Sequence, residues 1–243
     1  MKDLNNEAVG QLVAEQPLRA AVFDRLGIDF CCGGKQTLVD ACEKAGLETE
    51  SVIADLKEND AHAAMQDAPD SWLNASITEL TNHIQQTHHA YLKTELPRLQ
   101  ALAEKVARVH GAKDPRLTEV LSVFSAMKQE IEQHTLKEDN ILFPFMRQLD
   151  KGLGIPHAPF GTVANPVRCM ESEHDDAGEA LMRLRVLTDH YVAPEGACNS
   201  WLALVSGMAH LDQDLRTHIH KENSILFPKA IKVESEMYAP SHS

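Results

Sequence analysis

From about Ser71 onward, apolar residues recur at helical spacing in four long stretches. The first runs over about 73–110, where Leu73, Ile77, Leu80, Ile84 and Tyr91 define one face and Pro97 predicts a kink. The second, about 114–149, steps through Val120, Phe124, Met127 and Ile131, and the same face continues as His134, Glu138, Ile141 and Phe145. The third, about 167–191, carries Val167, Met170, His174 and Leu181 on one face. The fourth, about 194–232, carries Leu204, Met208, Leu211, Leu215, His218, Glu222 and Ile225. No stretch alternates with period two long enough to be a strand. The pattern predicts an all-α fold, an antiparallel four-helix bundle over residues 71–243.

Residues 1–60 read as a small helical N-terminal domain. Pro17 opens "PLRAAVFDRLG" and Gly27 closes it. The loop "IDFCCGGKQT" follows, then "LVDACEKAGL" ending at Gly46, and then "ETESVIADLKEND". The weakly patterned "AHAAMQDAPD", residues 61–70, reads as a linker.

Histidine and glutamate on apolar stripes change the picture. One histidine there is ordinarily a hydrogen-bonded core residue, and an unpartnered buried carboxylate is costly. Here the phrase is written twice, as "HTLKEDNILFP" from His134 and "HIHKENSILFP" from His218. His174 lies on a third inward stripe. The separations His89 to His134 and His174 to His218 are 45 and 44 residues, so each half supplies a histidine and then a His-x-x-x-Glu pair. The set His89, His134, Glu138, His174, His218 and Glu222 asks for cations in the core. Two bridging carboxylates suggest two metal ions, each with two imidazoles and a shared oxo or hydroxo group, and one position left open. Such donors suit iron, zinc or manganese. On the first helix, periodicity alone selects His88 over His89. Glu171 and His174 form one Glu-x-x-His, without the second such pair that a ferritin-like carboxylate site needs.

Composition removes several alternatives. The 243-residue chain has a formal charge of -13 and no basic block, which argues against nucleic acid and anionic membranes as partners. No apolar run is long enough for a bilayer span, and the N-terminus lacks a signal-peptide pattern, so the cytoplasm is expected. Phosphate-binding glycine motifs are absent. Five cysteines do not make a secreted disulfide framework. Cys31 and Cys32, followed by Gly33 and Gly34, are read as a redox or iron-handling pair, with glycines that permit positive φ and close approach.

Together, "DFCCGGKQTL", "HTLKEDNILFP", "ESEHDDAGE" and "HIHKENSILFP" resemble the repair-of-iron-centres (RIC) family of hemerythrin-like proteins, in order and over nearly the whole chain. The resemblance implies a domain with vicinal cysteines and a hemerythrin-like bundle holding a non-haem di-iron centre. It implies His89, rather than His88, beside His134, Glu138, His174, His218 and Glu222 as ligands. It further implies repair of iron–sulfur clusters damaged by nitrosative or oxidative stress, with damaged iron–sulfur proteins as clients and iron as the group supplied. The rivals are a di-iron nitric oxide reductase, an NO- or O2-binding sensor, and a zinc-stabilised bundle. A homodimer, with a cysteine domain reaching a second chain's bundle, is compatible with this reading. Tyr91, His83 and Glu171 are the candidates for orienting the ligands.

Overall fold

The computed structural model describes residues 4–63, 72–152 and 159–238. Among these residues all regular structure is helical, apart from an isolated bridge between Ala8 and Thr37. Packing divides the chain into two units, Met1–Leu80 with Ile219–Ser243, and Thr81–His218.

The first unit begins with helices α1 (Val9–Glu15), α2 (Arg19–Leu26), α3 (Leu38–Ala45) and α4 (Thr49–Ala63). Gly27 and Gly46 end α2 and α3 with φ of 70° and 68°, the left-handed caps that the sequence implies. Thr37 caps α3 by accepting the Asp40 N–H at 3.2 Å. Leu12, Phe23, Phe30, Leu38 and Leu56 are buried, and Arg19 forks onto Asp60. Of the expected linker, 61–63 still belong to α4, and 64–70 lie outside the described residues.

Four long helical runs follow. They are α5 (Ile77–Ile84) joined to α6 (Ala90–His110), α7 (Arg116–Lys137) joined to α8 (Phe143–Asp150), α9 (Ala164–Leu187), and α10 (Asn199–Lys221) joined to α11 (Phe227–Tyr238). Ser76 and Glu79 form a reciprocal capping box at the start of α5. Within the unit Thr81–His218, four helices share one core, exemplified by Leu96 and Leu99, Phe124 and Met127, Leu184, and Met208 and Leu211. Each such side chain, fully buried, contributes on the order of 2 kcal/mol. Neighbours run antiparallel, as the pairs Gln100–Ser125, Arg183–Glu119 and His88–Asp214 show. This is the expected four-helix bundle.

The joints inside three of these runs are π-turns: Gln85–His89, Glu138–Leu142 and Glu222–Leu226. A π-turn holds one residue more than an α-turn, so the inward face slips by one position beyond it. Past the first joint the buried residues are Leu92, Leu96 and Leu99, and Tyr91 is left half-buried. Past the second, Leu142 and Phe143 are buried and Ile141, expected on the core stripe, is 56% exposed. The first helix passes through Pro97 without a break, and its change of phase lies at the π-turn upstream.

The third helix begins and ends earlier than its pattern suggested. It ends at Leu187, and Asp189, His190 and Tyr191 follow with φ of 49°, 60° and 64°. Three left-handed non-glycine residues in succession need outside support. The Tyr191 hydroxyl donates to the buried Asp212 at 2.8 Å, which Arg185 also clamps.

Candidate metal centre

The π-turns decide which side chains turn inward. His88 and His89 end the first, Glu138 opens the second, and His134 stands one turn before Glu138 on α7. Within the unit Thr81–His218 two imidazole pairs converge. His134 Nε2 and His174 Nε2 are 3.1 Å apart, and His89 Nε2 and His218 Nε2 are 3.2 Å apart. Glu138 stands between the pairs, its Oε2 3.3 Å from His134 Nε2 and 3.4 Å from His89 Nε2. The donor atoms of His89, Glu138 and His218 lie within 4.8 Å of one another, as do those of His134, Glu138 and His174. All five side chains are buried, and Glu138 completely so.

In each pair one ring has a carboxylate at its opposite nitrogen. His89 Nδ1 is 2.7 Å from Asp139 Oδ1, and His134 Nδ1 is 2.8 Å from Glu173 Oε2. A carboxylate accepts, so Nδ1 carries a proton, and the neutral ring then presents its Nε2 lone pair inward. Burial works against ionisation of Asp139, but hydrogen bonds from His89 and Gln85, with Lys93 alongside, outweigh it and hold the carboxyl well below its usual range. The bond from His134, against burial and with help from Lys137, lowers Glu173 to about 2. Nitrogens bound at about 2.1 Å to one ion, at angles of 90–110°, stand about 3.0–3.4 Å apart. The observed separations have that spacing, so the donor set fits metal ions.

Glu222 opens the third π-turn, one turn beyond His218 on the same continuous helical run, and is fully buried. It occupies in the second repeat the place that Glu138 occupies in the first. His88, the residue periodicity prefers, is also buried, but its Nδ1 pairs with Asp214 at 2.8 Å and its ring stacks 5.2 Å from His218. Sequence reasoning missed Asp139 and Glu173. Each directly neighbours a ligand candidate, and that adjacency is the one signal that could have found them. Of the orienting candidates, His83 lies edge-on to His88, and Tyr91 lines a groove with Glu95, His210 and Asp214. Phe143, from the repeated Ile-Leu-Phe-Pro, stacks 5.6 Å from His89.

The cysteine loop belongs to the other unit. Asp29 Oδ1 accepts the backbone N–H groups of Cys31 and Cys32, each at 3.0 Å, and Oδ2 accepts that of Gly33 at 2.8 Å. Cys31 is buried and Cys32 half-buried, and neither is in a disulfide. The hydrogen bond with Cys32 and burial push the Cys31 thiol well above its ordinary pKa. Neither Gly33 nor Gly34 has positive φ, contrary to the conformational part of the expectation. Close approach is what they provide, for a Cβ on Gly34 would stand 2.6 Å from the Phe30 carbonyl oxygen and 3.3 Å from Gly10 Cα. Asn223 Nδ2 donates to the Cys31 carbonyl at 3.2 Å.

A four-helix bundle with two imidazole pairs around a carboxylate defines a cation-binding protein of the hemerythrin type. Comparison with known proteins agrees: residues 80–230 match the hemerythrin HHE cation binding domain, and residues 5–60 match ScdA_N, a domain of unknown function (DUF542). Proteins named iron-sulfur cluster repair protein YtfE, from Yersinia pseudotuberculosis serotype IB (strain PB1/+) and Yersinia pestis (strain Pestoides F), are each 37% identical over 235 residues, covering 96% of this chain and all of theirs. The chain belongs to the hemerythrin HHE family and, within it, groups with these YtfE proteins, and it carries a ScdA_N match as well. Among the described residues no helix is long and apolar enough to cross a membrane.

Proposed function

We propose that this protein binds two iron ions through His89, His134, Glu138, His174, His218 and Glu222, and repairs iron–sulfur clusters damaged by nitrosative or oxidative stress by giving up iron. One observation carries the metal reading. His89 and His134 have their Nδ1 atoms committed to carboxylates, so their Nε2 lone pairs face another imidazole nitrogen and a buried carboxylate oxygen within 3.4 Å. Electron-rich atoms held that closely in a buried site call for a cation. The repair reading is supported by the relatives' names.

Bound there, iron would supply Lewis acidity, redox change and an open position for NO or O2. The chain's own residues hold the site ready for loading and release. Glu138 offers an oxygen to both imidazole pairs, and Glu222, by its place in the repeat, is the second shared carboxylate. Asp139 and Glu173 keep the ring protons off Nε2, and their side chains are 14% and 32% exposed, so solvent reaches the layer behind the ligands. We assign metal binding to residues 71–243, thiol chemistry at Cys31 and Cys32 to residues 1–60, and a linker role to 64–70, the part of 61–70 that lies beyond α4. The family matches at 80–230 and 5–60 support this division. The cytoplasm is the proposed setting, and cysteines outside any disulfide suit its reducing conditions.

The test uses an enzyme whose [4Fe–4S] cluster has been damaged by NO. The anaerobic iron-loaded protein, with no free iron, is expected to restore its activity beyond an equal dose of ferrous salt with chelator. A His134→Ala/Glu138→Ala variant is expected to restore none. Failure of the iron-loaded protein would contradict donation, and nitrous oxide released in place of recovery would identify an NO reductase.

A further inference from the structure

The bundle site uses His89, His134, His174 and His218 and leaves open what the cysteine loop binds. The geometry points to a second metal site there, in which Cys31 Sγ, Cys32 Sγ and an Asp29 carboxylate oxygen bind one soft or borderline divalent ion such as Zn2+ or Fe2+. This inference does not depend on the bundle reading.

The three donors lie within 4.8 Å of one another. The two sulfurs are 3.8 Å apart, and Cys31 Sγ is 3.2 Å from Asp29 Oδ1. A disulfide would bring the sulfurs to about 2.05 Å. Two thiolates bound at about 2.3 Å to one tetrahedral ion stand about 3.8 Å apart. The observed spacing is therefore that of a shared ion, with thiol protons now linking the donors. Binding would release those two protons to solvent, with no change of oxidation state. Thiolate donors favour soft and borderline cations over Mg2+ or Ca2+.

The loop is built to hold this arrangement. Three backbone N–H groups fix the Asp29 carboxylate, so it is oriented before any ion arrives. Gly33 lies against it, since a Cβ there would stand 3.2 Å from Oδ2. Gly34 packs on Gly10, and the Gly10 N–H donates to the Gly34 carbonyl at 2.9 Å. Phe30 is buried behind the loop, stacked 6.4 Å from Phe23. Three protein donors leave a fourth tetrahedral position, and Asp29 is exposed, so a donor from another molecule can take that place. A closed four-ligand site would hold its ion as a structural staple. This one suits passing an ion on.

The test titrates Cd2+ into the reduced full-length protein after its bundle has been filled with iron. Thiolate-to-cadmium charge transfer in the near ultraviolet is a signal that imidazole and carboxylate ligands do not give. The band is expected to saturate at one ion per chain. It should vanish in Cys31→Ser/Cys32→Ser and persist in Cys42→Ala/Cys169→Ser/Cys198→Ser. Asp29→Asn should weaken binding by about tenfold or more, as loss of a charged donor implies. Unchanged far-ultraviolet circular dichroism in the double variant would show that its helices survive. The site is overturned if the band is missing from the wild type, persists in the double variant, or saturates at half an ion per chain.

Discussion

Asp139 and Glu173 decide which nitrogen of His89 and His134 keeps its proton, and so whether those rings face inward as donors or as acids. Neither carboxylate stood out in the sequence, because each sits beside a ligand candidate, about 100° around the helix from the apolar stripe, where charge is ordinary. His134, Glu138, His174, His218 and Glu222 were legible for the opposite reason, as polar breaks in stripes that must be buried. Replacing Asp139 with Asn leaves an acceptor near His89 Nδ1 but removes the charge that favours the donor tautomer. Iron affinity is expected to fall by about 10- to 100-fold in chelator competition, with helix content unchanged. An affinity equal to wild type would show that Asp139 does not orient the ligand.

At the scale of the element, the π-turns explain what periodicity could not. A regular helix continued from Ile77, Leu80 and Ile84 brings His88 to the inner face. The extra residue in Gln85–His89 brings His89 there, and the buried Leu92, Leu96 and Leu99 follow in its phase. The same slip after Glu138 puts Leu142 inside and Ile141 outside. Sequence spacing carries no sign of a π-turn, and this is why Ile141 was placed on the wrong face and His88 competed with His89. Gln86 is exposed within the first π-turn, so deleting it should restore a regular helix with both flanks still in register. The deletion variant is expected to bind iron with the wild-type stoichiometry. Loss of iron binding would mean that the turn does more than set the phase. In a plain α-helix the same deletion would rotate one flank by about 100° and destroy the site.

For the whole molecule, the four-helix bundle was legible because each helix declares a core face, and the repeat declares a site built twice. The cysteine loop was legible only as a motif. Its three-donor geometry depends on Asp29, which spacing does not single out, and on Gly34 meeting Gly10, a contact between segments far apart in the chain. The repeat also shows where its halves diverge. Asp139 holds His89 in the first, while its counterpart Asn223 holds the Cys31 carbonyl in the second. The central claim is that iron leaves the bundle and becomes part of a client's cluster. Its most direct test loads the protein with an iron isotope visible to Mössbauer spectroscopy, adds an unlabelled enzyme with an NO-damaged cluster, and follows the label. The account predicts that the label disappears from the bundle and appears in the rebuilt cluster. A rebuilt cluster without label, or label that never leaves the bundle, would contradict it.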